Sequence, residues 1–176
     1  MVRVNKYQQD TDALQGRRVT VLGAGRSGVA AAELLQHTGA LVFVSDHSEN
    51  ALSEEHRKRL QEAGVAFETG QHSRRVYQAD LAVISPGIPD TAPVVRELEH
   101  REIPVISEIE LSSWFVQETV IAITGSNGKT TTSTLVSELL EFGEHDPVLC
   151  GNIGRPFAQA VMSRMESKKK GSTWWK

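Results

Sequence analysis

Short apolar runs alternate with longer amphipathic or alanine-rich stretches through most of the chain. Arg18-Val19-Thr20-Val21-Leu22 is β-branched and ends at Gly23, which predicts a buried strand. The Ser27–His37 stretch is rich in Ala and Leu and predicts a helix. Leu41–Ser45 predicts a second strand ending at Asp46, and Ser53–Ala63 a polar helix stopped by Gly64. Val65–Glu68 gives a weak third strand, and Asp80–Ser85 a clearer one broken by Pro86-Gly87. Thr91 is a candidate cap for a helix through Pro93 to about Arg101, with Pro93 in the first turn where its missing N–H costs nothing. Ile103–Ile106 reads as a short strand and Glu108–Val116 as a helix. Val120-Ile121-Ala122-Ile123-Thr124 has the strongest strand pattern in the chain; Thr130–Phe142 reads as a helix and Pro147–Cys150 as a strand.

A β-α-β-α rhythm requires parallel strands with crossover helices, so the expected class is α/β. A fresh strand–loop–helix unit starts near residues 108–118, which divides the chain into 1–112, 113–163 and a tail, 164–176. The second unit is short for a domain that must cover both faces of a parallel sheet. The tail has a lysine run, Lys168-Lys169-Lys170, then Trp174-Trp175, with no periodic pattern, and reads as a frayed end.

Composition narrows the function classes. The 176 residues are 39% apolar and 23% charged, as in soluble globular proteins. A net charge of −3 argues against a general nucleic-acid binder. Cys150 is the single cysteine, so no intramolecular disulfide is possible. Residues 1–10 lack the apolar core of a secretory signal, and no stretch approaches the roughly 20 apolar residues that span a bilayer. The expectation is a soluble cytoplasmic protein.

Two glycine loops carry the chemistry. Gly23-Ala24-Gly25-Arg26-Ser27-Gly28 follows a strand and opens a helix, the context of the dinucleotide fingerprint. Its glycines permit a tight turn and bring backbone N–H groups to an anion at the positive helix end. Asp46 ends the second strand 23 residues after Gly23, where a carboxylate can take ribose hydroxyls. Helix–strand packing without a ligand is an alternative for the loop. Asp46 and His47 can equally be turn residues.

Gly125-Ser126-Asn127-Gly128-Lys129-Thr130-Thr131 is the second loop. Ile123 stands five residues before Gly128 where the usual phosphate loop has glycine, so the spacing is the shorter G-x-x-G-K-[ST]. Gly125 and Gly128 let successive N–H groups turn inward as an anion nest. Lys129 supplies a cation for the β- and γ-phosphates of ATP, and the Thr130 hydroxyl a ligand for Mg²⁺. Ser126, Asn127 and Thr131 complete the candidate ATP site.

The loop Thr124–Thr131, preceded by Ser85-Pro86-Gly87-Ile88 and Glu108-Ile109-Glu110-Leu111 and followed by Gly151-Asn152-Ile153-Gly154, resembles the Mur ligases over residues 14–163. Within that family it is most similar to the branch that adds D-glutamate. The resemblance implies a Rossmann-like domain over 1–112 that holds a UDP-linked peptidoglycan precursor, then the start of a truncated P-loop ATP-binding α/β domain. It places Arg26 and Ser27 at the diphosphate, Asp46 and His47 at the uracil, Gly87 near it by its backbone, and Asn152 near the active centre. It implies ATP and Mg²⁺ as cofactors, Lys129 as the catalytic cation and Thr130 as the metal-side residue. The substrates implied are UDP-N-acetylmuramoyl-L-alanine and D-glutamate, joined through an acyl phosphate, with no nucleic-acid or membrane partner. Mur ligases are longer, mostly monomeric chains. The expectation is therefore an N-terminal fragment, without the D-glutamate site and not competent alone; whether an exposed sheet edge in 118–163 drives association is left open by the sequence.

Two other readings stand beside this one. The L-alanine-adding ligase of the same family shares the first domain, but usually has histidine in the phosphate loop where Ser126-Asn127 stand here. A non-catalytic nucleotide-binding module, such as an NAD-binding domain, accounts for the first glycine loop alone.

Overall fold

The computed structural model describes residues 11–152 and 154–169; Lys170–Lys176, including the tail tryptophans, and Ile153 lie outside the described residues. Five strands form one sheet: β1 (Arg18–Leu22), β2 (Leu41–Asp46), β3 (Ala66–Thr69), β4 (Leu81–Ile84) and β5 (Val105–Ser107). Their order is β3-β2-β1-β4-β5, with every neighbouring pair parallel. The chain leaves β1 toward one edge and returns on its other side to build β4. The carboxyl ends of β1 and β4 therefore flank a topological switch point, where open α/β sheets form a ligand crevice.

Alternation along the strands sends side chains to two cores. Val19, Val21, Val42, Val44, Leu81 and Val83 face one layer, with α1 (Arg26–His37), α2 (Glu54–Glu62) and α4 (Glu108–Ser113). Leu22, Phe43 and Ala82 face the other, against α3 (Pro93–His100) and Val76. Thr20 is buried in β1, and its hydroxyl donates to the Val76 carbonyl at 3.0 Å, which removes the cost of an unpaired polar group. Ser53 caps α2 through the His56 N–H, and Ser107 caps α4 through the Glu110 N–H. Pro93 opens α3 as expected, but the cap position is Ala92, with no side-chain bond, rather than Thr91.

Three sequence expectations are corrected downstream of α4. Val120–Thr124, the strongest strand pattern, joins no sheet among the described residues, and Val120 and Ile121 are each 56% exposed. Pro147–Cys150 reduces to a single bridge between Cys150 and Arg155. Residues 157–169 form an unforeseen helix, α6 (Phe157–Lys169), which carries the start of the expected irregular tail in regular structure. Ala158 and Val161 of α6 pack on Ala30 and Leu34 of α1, with Phe115 and Val116 beside them. Helix α1 is thus buried on both sides, by the sheet and by α6, which explains its run Ala30-Ala31-Ala32. The helix after the second glycine loop, α5 (Lys129–Phe142), forms as expected but contains no buried residue.

Candidate functional site

Chain reversal at the end of β1 creates the first loop. Gly23 has φ +95°, and a Cβ there would stand 2.8 Å from the Ser85 side chain on the loop after β4. At Gly28 a Cβ would meet the Gly23 carbonyl oxygen at 1.9 Å. Nothing lies within 4 Å of the corresponding position at Gly25, the exposed N-cap of α1. Two glycines are therefore needed for packing, and Gly25 leaves open space in front of the α1 amides. A backbone that something anionic can approach has that form.

The predicted substrate residues gather at the carboxyl ends of the strands. Arg26 and Ser27 are the first two residues of α1, Asp46 ends β2 with His47 next to it, and Gly87 follows β4 with φ +98°. Asp46 is committed to the frame: its Oδ2 accepts from the Ala24 N–H at 2.8 Å and its Oδ1 from the Ser48 N–H at 2.9 Å. It fixes the glycine loop against the turn after β2. His47 is exposed, with its ring centroid 5.9 Å from that of His72.

His72 belongs to a cluster that the sequence reading did not contain. The Ser45 hydroxyl, fully buried in β2, donates to Glu68 Oε1 at 2.7 Å. With its one proton so used, Ser45 accepts from His72 Nδ1 at 2.8 Å, which sets the His72 tautomer. Burial, reinforced by neighbouring His47, holds the His72 pKa below its ordinary value against the pull of Glu68 and Asp46. Glu68 is desolvated, yet its pKa lies below the ordinary carboxylate value because Ser73, Ser45 and His72 favour the charged form. The available signal was Ser45 itself, a hydroxyl in an apolar strand that must find a partner.

The segment after Cys150 touches the start of α1, 128 residues apart in sequence: Arg26 Nη1 donates to the Gly154 carbonyl at 3.2 Å, two residues beyond Asn152. Asn152 is exposed on the loop between Cys150 and Arg155, which is closed by the Gly151 N–H donating to the Arg155 carbonyl at 2.9 Å. Glu108 holds the helix that follows. Its carboxylate, only 1% exposed, accepts the Ala158 N–H at 2.7 Å and a further bond from the Phe157 N–H. A side chain of α4 thereby caps α6. Burial raises the Glu108 pKa, and the Ala158, Ser112 and Phe157 bonds oppose that shift without cancelling it.

The second loop stands exposed at the start of α5. Gly128 is the N-cap with φ +75°, a conformation that favours glycine, and Gly125 has φ +149°. Lys129 Nζ folds back onto the carbonyl oxygens of Gly125 and Ser126 in its own loop. Thr130 is exposed on the first turn of α5. Its hydroxyl is the hard oxygen type that Mg²⁺ accepts, and Mg²⁺ usually keeps waters and substrate phosphates as its other ligands. Among the described residues, no three His, Cys, Asp or Glu side chains form a metal cluster. No described helix is long and apolar enough to cross a membrane.

Residues 18–94 match the family model of the MurD N-terminal domain. The chain is 50% identical over 154 residues to a UDP-N-acetylmuramoylalanine–D-glutamate ligase of Chlorobaculum parvum, covering 85% of this chain and 32% of that protein. The ligase of the same name from Chloroherpeton thalassium is 46% identical over 163 residues, covering 89% and 34%. The chain thus spans about a third of the length of the curated relatives it matches. Among solved structures, a murein peptide ligase Mpl from Psychrobacter arcticus superposes with TM-score 0.53 at 26% identity, over 73% of this chain and 27% of that one. A pseudomurein peptide ligase type C from Methanothermus fervidus superposes with TM-score 0.50 at 24% identity, over 72% and 26%, and shares the fold.

Proposed function

Residues 18–94 belong to the MurD N-terminal domain family of the Mur ligases, and from that footing we propose that this chain supplies the UDP-substrate domain and the ATP-binding loop of a D-glutamate-adding ligase. The observation that carries the reading is the identity of about half the residues with such a ligase over a span that includes the second glycine loop. We assign residues 1–112 to UDP-N-acetylmuramoyl-L-alanine and residues 113–163 to the beginning of the ATP domain. The site is cytoplasmic in this reading, where ATP and the nucleotide-linked precursor are available.

A carboxylate is a poor acyl donor, and the reaction removes that obstacle in two steps. The terminal carboxylate oxygen of the substrate attacks the γ-phosphorus of ATP, ADP departs, and an acyl phosphate results. The D-glutamate amine then attacks the acyl carbon, phosphate departs with the C–O electron pair, and the amine loses a proton as the amide forms. Lys129 balances charge on the transferring phosphoryl group, exchanging its loop carbonyls for phosphate oxygens. Gly125 and Gly128 keep the cradling backbone open. Thr130 would hold Mg²⁺, which when bound would supply further neutralisation of the phosphate charge. At the other site the α1 amides and Arg26 receive the diphosphate, Asp46 and His47 border the uracil, Gly87 approaches it by its backbone, and Asn152 meets the substrate nearer the chemistry.

Calorimetric titration with UDP-N-acetylmuramoyl-L-alanine tests the first site. Saturable binding with competition by UDP is expected; no heat and no chemical-shift change at high ligand concentration would sink the assignment. NADH that binds tightly and ignores UDP would favour a dinucleotide module.

Lys129→Ala tests the second site. Loss of a charge-assisted contact to phosphate costs about 1.5–3 kcal/mol, so ATP affinity is expected to fall at least tenfold. UDP affinity is expected to stay unchanged, because Lys129 bonds the Gly125 and Ser126 carbonyls of its own loop. Equal loss of both would point to unfolding.

A further inference from the structure

We propose that Arg26 is a positioning residue that links the diphosphate site at the N-terminus of α1 to the Gly151–Arg155 loop, so that occupancy of that site sets the loop. The coupling to ligand rests on the UDP-substrate reading above; the link between Arg26 and the loop rests on geometry alone.

Three observations converge. The first is the bond from Arg26 Nη1 to the Gly154 carbonyl, a side chain of the first glycine loop reaching a segment 128 residues away. The second is the loop's construction. Gly151 and Gly154 both have positive φ, +112° and +73°, and the Gly151 N–H donates to the Arg155 carbonyl, which ties the two ends of the loop together. The third is the anchor on its far side, where Glu108 holds the first amides of α6 at Phe157 and Ala158. Among the described residues, the loop is thus tied to the helix end that follows it and, at Gly154, to the Arg26 guanidinium. The structure offers Arg26 as the adjustable end.

Arginine suits two masters at once. Its planar guanidinium has five N–H donors, and one on Gly154 leaves others for phosphate oxygens. The first turn of α1 carries no acidic residue, so a cation at its first position opposes the helix dipole until an anion arrives. A diphosphate on the α1 amides would immobilise the guanidinium and with it the Gly154 carbonyl. Asn152 is two residues away and would be ordered together with it. Coupling of this kind is reciprocal, so an ordered loop also favours the bound diphosphate.

Amide hydrogen exchange on the 176-residue chain, with and without saturating UDP, reads the link directly. Without ligand, Arg26→Ala is expected to speed exchange of the Gly151–Arg155 amides several-fold relative to the parent and to leave β1 and β4 unchanged; equal loop rates overturn the link. With UDP, the parent is expected to slow at the loop. Arg26→Lys, saturated with UDP as checked by calorimetry, is expected to lose that slowing, because an ammonium keeps the charge without the planar fork. If Arg26→Lys keeps the parent's slowing, the coupling through Arg26 is wrong. A parent that binds no UDP defeats the substrate reading and the coupling together, and the ligand-free comparison still decides the link.

Discussion

Replacing Gly28 with alanine is expected to cost at or beyond the upper end of the about 1–3 kcal/mol that overpacking ordinarily takes from a fold. The added Cβ would stand 1.9 Å from the Gly23 carbonyl oxygen and 2.8 Å from Ser85 Oγ. The first of these is backbone, so relief requires α1 to move away from the end of β1. Helix α1 cannot move freely, since Val29 and Leu35 pack on the sheet side while Ala30 and Leu34 pack against α6. The expected result is a large drop in the urea midpoint, or failure to yield folded protein. Gly25→Ala is the matched control. Its φ of −76° suits alanine and its space is empty, so stability should change by no more than about 0.5 kcal/mol. If the UDP-substrate reading holds, binding of that substrate should nevertheless fall at least tenfold, because the methyl group would stand in the open space at Gly25 proposed for the diphosphate. If Gly28→Ala proved neutral in urea, the close packing of the loop described above would be wrong.

Glu108→Ala is the second large effect expected. It strips the cap from the buried start of α6 and leaves the Ala158 and Phe157 amides without their acceptor, at about 1–3 kcal/mol for such a loss. Helix α6 should loosen, exposing Ala30 and Leu34 of α1, and amide exchange along Phe157–Val161 should accelerate. Glu108→Gln keeps an acceptor oxygen and should lose less. The two variants differ in their pH behaviour as well. The folded-state pKa of Glu108 is raised by burial, so the folded protein holds this proton more tightly than the unfolded chain does. Its contribution is therefore greatest below the ordinary carboxylate value. It declines as pH rises from about 4 toward the raised folded value. Relative to the parent, Glu108→Gln should gain stability across that rise. Glu68 and Asp80, both with lowered pKa values, give the opposite slope in parent and variant alike and cancel in the difference. A parent-minus-variant stability that stays flat with pH would contradict the buried, ionisable cap.

The first half of the fold was largely legible in the sequence. Strands β1, β2 and β4 announced themselves by short apolar runs, and the glycines and prolines between elements marked the turns. The tight glycine turn between β1 and α1 was legible for the same reason: Gly23 needs a positive φ and Gly28 has no room for a Cβ. The candidate site was legible only in outline. Asp46 was recognisable as a strand-end acid, but its commitment to Ala24 and Ser48 depends on where two separate turns lie. Glu108 was visible as part of a motif, yet its partner is an amide 50 residues away. Arg26 gave no sign of Gly154 at all.

The two apolar runs Arg18–Leu22 and Val120–Thr124 mark the boundary between what sequence determined and what tertiary structure decided. Both are β-branched, both precede a glycine loop and a helix, and by pattern the second is the better strand. The first lies between β2 and β4 and is a strand; the second joins no sheet among the described residues. Helix α5, beside it, forms with no buried residue. A helix closes its hydrogen bonds within its own segment, so local sequence can announce it, as it did for α5 though not for α6. A strand closes them only against another segment, and a buried carboxylate or a loop carbonyl likewise finds its partner only once the chain has folded.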